Sequence, residues 1–172
     1  MNRVFVFTLI LSAALAGAGQ ALAAGVPGSR VGNSTLDPAD GSIVRARLVF
    51  LESGVDLIVL GTATGLTPGS TYLSNIYDID SVATGPDACL PAIFDPTDPD
   101  FLLPTMFLGT WEVDDTGVGR LVAINTNNGE DFVPLRKIGT VSIRQFIAPG
   151  TPPETVLDAC GVVSTQKGKR KG

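Results

Sequence analysis

The chain has 172 residues, 12 basic and 17 acidic side chains, a net charge of −5 and no histidine. That balance argues against nucleic acid or an anionic membrane as the main partner. The missing histidine removes the usual general base and the commonest metal ligand together.

Residues 1–23 read as a secretory signal. Arg3 gives the positive start, Val4 to Ala16 is an apolar run broken only by Thr8 and Ser12, and Ala21-Leu22-Ala23 offers small residues for cleavage after Ala23. The apolar core is shorter than the roughly 20 residues of a spanning helix, so the mature protein is expected to be secreted or periplasmic, with no transmembrane segment after cleavage. Cleavage there would leave 149 residues, one domain of ordinary size. Residues 24–41 look like a flexible leader. Residues 165–172 form a basic end containing Lys167, Lys169, Arg170 and Lys171, expected to be disordered.

Between them, residues 42–164 show short β-branched runs: Ile43–Leu51, Val55–Thr64, Tyr72–Ile79, Thr105–Val113, Val118–Asn125, Ile138–Ile147 and Val156–Ser164. Gly, Pro and Asp clusters separate them, a pattern of an all-β sandwich or barrel. Asp115-Thr116-Gly117 suits a hairpin turn ending in a left-handed glycine. Residues 85–100, with four prolines, read as a long loop, and Cys89 inside it suggests that the loop is tied down. In an oxidising compartment Cys89 and Cys160, the only cysteines, are most simply one disulfide. Closing a loop of that length stabilises by about 4 kcal/mol on the chain-entropy account.

Four pieces in order resemble the copper/zinc superoxide dismutase family, an eight-stranded Greek-key β-barrel. They are Gly65-Leu66-x-Pro68-Gly69 after a strand, Cys89 in a loop, Asp-x-Thr-Gly117-Val118 at a hairpin, and Ala159-Cys160-Gly161-Val162-Val163 near the end. The resemblance covers about 42–163. It implies two copper-binding histidines on the strand after the first turn, where this chain has Ser74 and Ile76, and a third near Ile143 or Arg144. Phe107 falls where a zinc-binding aspartate is implied, and Leu157 where an arginine guides superoxide. Disproportionation needs a cycling metal held by suitable ligands or some other redox centre, so these positions read as vacated. The expectation is a domain without copper, zinc or other cofactor and without dismutase activity, serving a structural or binding role toward a protein or small-molecule ligand, with a homodimer left open. The alternatives are a divergent member that keeps enzymatic activity and a chordin-type β-sandwich binding domain.

Other constellations are weaker. Asp95, Asp98 and Asp100, with Asp87 upstream, could offer carboxylates to calcium, but the segment lacks the glycine and distal glutamate of the helical calcium loop. Asp78 and Asp80 lie two apart on one strand face, which also fits a strand end entering a turn. Lys137 could act as a base only in a Ser–Lys arrangement, yet it reads as an ordinary surface residue. Trp111 with Phe107 and Val113 keeps strand alternation and reads as core. Asn33-Ser34-Thr35 fits a glycosylation sequon.

Overall fold

The structure, a computed structural model, describes residues 29–78, 89, 106–126, 132–149 and 154–166. The segment 1–23 expected to be a signal, the acidic residues Asp87, Asp95, Asp98 and Asp100, and residues 167–172 lie outside the described residues. Within them the chain is all-β: β1 (Arg30–Pro38), β2 (Arg45–Ser53), β3 (Asp56–Thr64), β4 (Tyr72–Asp78), β5 (Met106–Thr110), β6 (Glu112–Val113), β7 (Gly119–Thr126), β8 (Ile138–Ala148), β9 (Glu154–Val162) and β10 (Ser164–Gln166). A 3-10 turn, Leu135–Lys137, leads into β8. Among the described residues no helix is long and apolar enough to cross a membrane.

Every pairing is antiparallel, and the hydrogen-bonded order is β5-β4-β8-β9-β1-β2-β3-β7-β6, with β10 beside β1. β5 and β6 stand at opposite ends of that order, yet only Trp111 separates them in the chain. The sheet is therefore rolled into a nearly closed barrel, because one continuous segment starts beside β4 and finishes beside β7.

Alternation along the strands builds the core. Leu48 and Phe50 on β2, Leu57 and Val59 on β3, Leu121 on β7, Ile76 on β4, and Val141 and Ile143 on β8 are all buried and point into one cluster. Burying such side chains contributes roughly 1.5–3 kcal/mol each. The expected hairpin is present. Asp114 Oδ1 accepts hydrogen bonds from Thr116 N–H at 2.9 Å, Thr116 Oγ1–H at 2.6 Å and Val118 N–H at 3.0 Å. Gly117 takes φ 78° there, and a Cβ would overlap the Leu66 carbonyl oxygen, so glycine is required twice over.

Three expectations are corrected. The flexible leader 24–41 is replaced over Arg30–Pro38 by β1, which pairs with β2 through seven residues and with β9 through Asp37↔Cys160 and Pro38↔Ala159. Its inward residues before Leu36 are Gly32 and Ser34, both small, so no apolar run advertises the strand. They are small because neighbours press close: a Cβ on Gly32 would lie 2.9 Å from Leu135 Cδ1. The basic end also starts later than 165, since Thr165 and Gln166 pair with Gly32 and Val31 in β10.

The third correction concerns Phe107. It does not share the Trp111 face but stands 53% exposed, while Trp111 is buried. The register with β4 shifts between Ser74 and Asn75, and β5 ends at Thr110, so alternation reverses before Trp111.

Candidate functional site

The densest buried polar arrangement lies on the second half of the barrel, β5-β4-β8-β9, on the face turned away from the core. β8 is buried on both faces from Ile138 to Arg144, unusual for an antiparallel strand with one wet side. Across its outer face the register sets Asn75, Ser142 and Cys160 in one row and Leu73, Arg144 and Leu157 in the next.

Cys160 is joined to Cys89 by a disulfide, with Cα atoms 5.8 Å apart and 71 residues between them in sequence. Cys89 is fully buried. Arg144, only 6% exposed, donates from Nη2 to the Cys89 carbonyl oxygen at 3.0 Å and from Nε to Tyr77 Oη at 3.2 Å. Tyr77 Oη lies 3.3 Å from Ser142 Oγ. A guanidinium is tolerable at this depth only if oxygens receive its N–H groups. Here it holds the disulfide residue from the backbone side while Cys160 holds it from the side chain.

The positions read as vacated do not gather around one opening. Ser74 and Ile76 point into the core and are fully buried, while Phe107 and Leu157 lie on the opposite face of the same sheet. Ser74 Oγ accepts the indole N–H of Trp111 at 2.8 Å, which satisfies the one polar atom of that ring. Ile76 packs with Val141 and Met106 in the core. Ile143 is also core, so of the positions near the implied third histidine only Arg144 faces outward. Asp78 ends β4, and Asp80 lies outside the described residues. Among the described residues, no group of three or more carboxylates and cysteines comes together.

Two carboxylates are displaced from their ordinary behaviour. Burial raises the pKa of Asp158 above 3.8, against the hydrogen bonds from Ser42 Oγ–H at 3.2 Å and Gln145 N–H at 3.0 Å that lower it. Asp114 is held below 3.8 by the Thr116 hydroxyl first, then by the Val118 and Thr116 amides. Among the described residues, neither carboxylate meets a nucleophile and base arranged for catalysis.

The role of Arg144 beneath the disulfide is not evident from the residue pattern, although a signal exists: it is a lone cation inside the β-branched run Ile138–Ile147. Lys137 is exposed at the end of the 3-10 turn. On the other half of the barrel, Thr35, Arg45, Arg47, Thr62 and Thr64 help to line a shallow cleft of about 270 Å³. No protein-family model matches this chain, and no curated protein matches it.

Proposed function

We propose that this chain is an exported, disulfide-tied barrel of the copper/zinc superoxide dismutase type that has kept the scaffold and lost the metal chemistry, and that it serves as a binding or structural module. The observation that carries the reading is the strand order joined to the cysteine tie. With β5 and β6 taken as one strand interrupted at Trp111 and the short β10 set aside, eight strands remain. β3 and β4 then belong to different halves of the barrel, as do β7 and β8, which supports Greek-key crossings. The disulfide joins the loop between β4 and β5 to β9.

The side chains support the non-catalytic part of the reading. The copper site that the resemblance implies is built from imidazoles, and this sequence has none. On β4 the residues sharing the Arg144 face are Leu73, Asn75 and Tyr77, and Tyr77 is engaged by Arg144. Among the described residues, the buried polar groups there satisfy one another and hold Cys89.

The test is metal analysis of the purified exported protein together with a dismutase assay. The reading expects no stoichiometric copper or zinc and no turnover above buffer. Stoichiometric copper with dismutase turnover would overturn it in favour of a divergent enzyme. An experimental structure with a different strand order would favour the chordin-type sandwich.

A further inference from the structure

The outer face of β1-β2-β3-β7 carries an apolar patch that the barrel does not use. The register aligns it in two rows across the strands: Val49, Leu60 and Val122 in one, and Leu51, Ile58 and Ile124 in the next. Val122 is 71% exposed, Ile124 66% and Leu60 38%, while the other three are half-buried. Single exposed apolar residues are ordinary on protein surfaces, whereas two adjacent rows form a contiguous patch of the kind that marks an interaction site.

Charge brackets the patch asymmetrically. The row at one end carries Arg47 and Arg120 with Thr35 and Thr62 between and beside them, and Glu112 opposite Arg120. Arg45 stands one row further out and is paired with Asp37 at 3.2 Å. That end thus bears three arginines against Asp37 and Glu112. The row at the other end carries Asp56, hydrogen-bonded to Thr126 Oγ1–H at 2.8 Å. Arg47 and Arg120 make no ion pair with any described residue.

The geometry points to a second copy of this chain as the occupant, packed sheet face to sheet face. A two-fold axis lying in the interface and running across the strands superposes the apolar rows of the two copies. It also reverses the strand direction, so the arginine end of each copy meets the Asp56 end of the other. An isologous contact of this kind requires a self-complementary surface, apolar in the middle and opposite in charge at its two ends. Four strands of eight or nine residues present roughly 550 Å² of face, from strand spacings of about 4.8 Å and a rise of about 3.3 Å per residue. Two such faces give about 1,100 Å², at the lower edge of specific interfaces. An interface of that size belongs to the weak, transient class. This inference is independent of the reading under Proposed function.

The experiment is sedimentation velocity of the purified protein from about 1 to about 200 µM, the concentrations at which weak dimers populate. A concentration-dependent monomer–dimer equilibrium is expected. Val122→Lys, at a position too exposed to disturb the fold, should weaken it by about tenfold or more with an unchanged thermal midpoint. Arg47→Asp and Asp56→Lys should each weaken self-association, and mixing the two variants should restore a dimer, because each then offers the charge the other lacks. A monomer throughout the range, a dimer indifferent to Val122→Lys, or a mixture that stays monomeric would each overturn the inference. So would a monomer whose retention on anionic phospholipid vesicles depends on Val122, which would assign the patch to a lipid surface.

Discussion

Replacing Cys89 and Cys160 together by serine isolates the contribution of the tie between the β4–β5 loop and β9. The bond closes a loop with a sequence separation of 71, and chain entropy assigns such a cross-link about 4 kcal/mol at 25 °C. Against the usual total of about 5–15 kcal/mol that is a large fraction. A domain of roughly 140 residues has an unfolding entropy near 0.3 kcal/mol/K, so the thermal midpoint should fall by about 14 °C. Urea unfolding followed by the fluorescence of Trp111, the one tryptophan, reads the loss directly. The dependence on urea should steepen slightly as well, because an uncrosslinked denatured chain exposes more surface. Wild-type protein held under reductant should reproduce the variant. A loss under about 1 kcal/mol would refute the reasoning and assign the hold on Cys89 to Arg144 and the surrounding packing.

Three more outcomes follow from the hydrogen-bonded polar groups. Ser74→Ala strips the indole N–H of Trp111 of its acceptor and should cost about 1–3 kcal/mol in urea unfolding, whereas Ser74→Ala combined with Trp111→Phe removes donor and acceptor together, so its loss should be less than the sum of the two single losses. Arg144→Met should cost about 2–4 kcal/mol through the two charge-assisted bonds to Tyr77 and Cys89, and Arg144→Lys should recover little because one ammonium does not span both oxygens. In a carboxyl-carbon NMR titration Asp158 should have its midpoint above 3.8 and Asp114 below it. A raised folded pKa means that the native state holds its proton longer, so the Asp158 contribution to stability falls as pH rises from the unfolded value through the raised one. The Asp114 contribution runs oppositely, present above the unfolded value and lost as pH falls through the lowered one.

The strands with apolar inner faces were legible because burial wrote an alternation into them: β2, β3, β7 and β8 start or stop within two residues of the β-branched runs at 43–51, 55–64, 118–125 and 138–147. β1 was not, because its inner side is written in Gly32 and Ser34. Close approach of Leu135 and Gly161 leaves no room there for the side chains that mark a strand. A Cβ on Gly161 would overlap the Thr35 carbonyl oxygen, so the β1–β9 contact itself depends on a residue with no side chain. The disulfide was legible from the cysteine count and the expected compartment. The facing of Ser74 and Ile76 was not, since a period of two fixes which residues share a face but leaves open which face is inside. Trp111 decides it, by placing its indole N–H on Ser74 in the core.

The segment Met106–Val113 begins on one side of the barrel and ends on the other, and it divides the perimeter unequally. β6 is laddered to β7 only at Glu112↔Arg120 and Val113↔Gly119. Beyond that point Leu121–Thr126 has ladder partners on β3 alone among the described residues, and Gly109 faces Leu121 and Ala123 across the gap. Among the described residues, the ladder gives way there to a seam closed by side-chain contact. When the native protein breathes, it should part there first. Those amides of β7 that point toward β5 should exchange with solvent sooner than the β8 amides, which lie between two laddered neighbours.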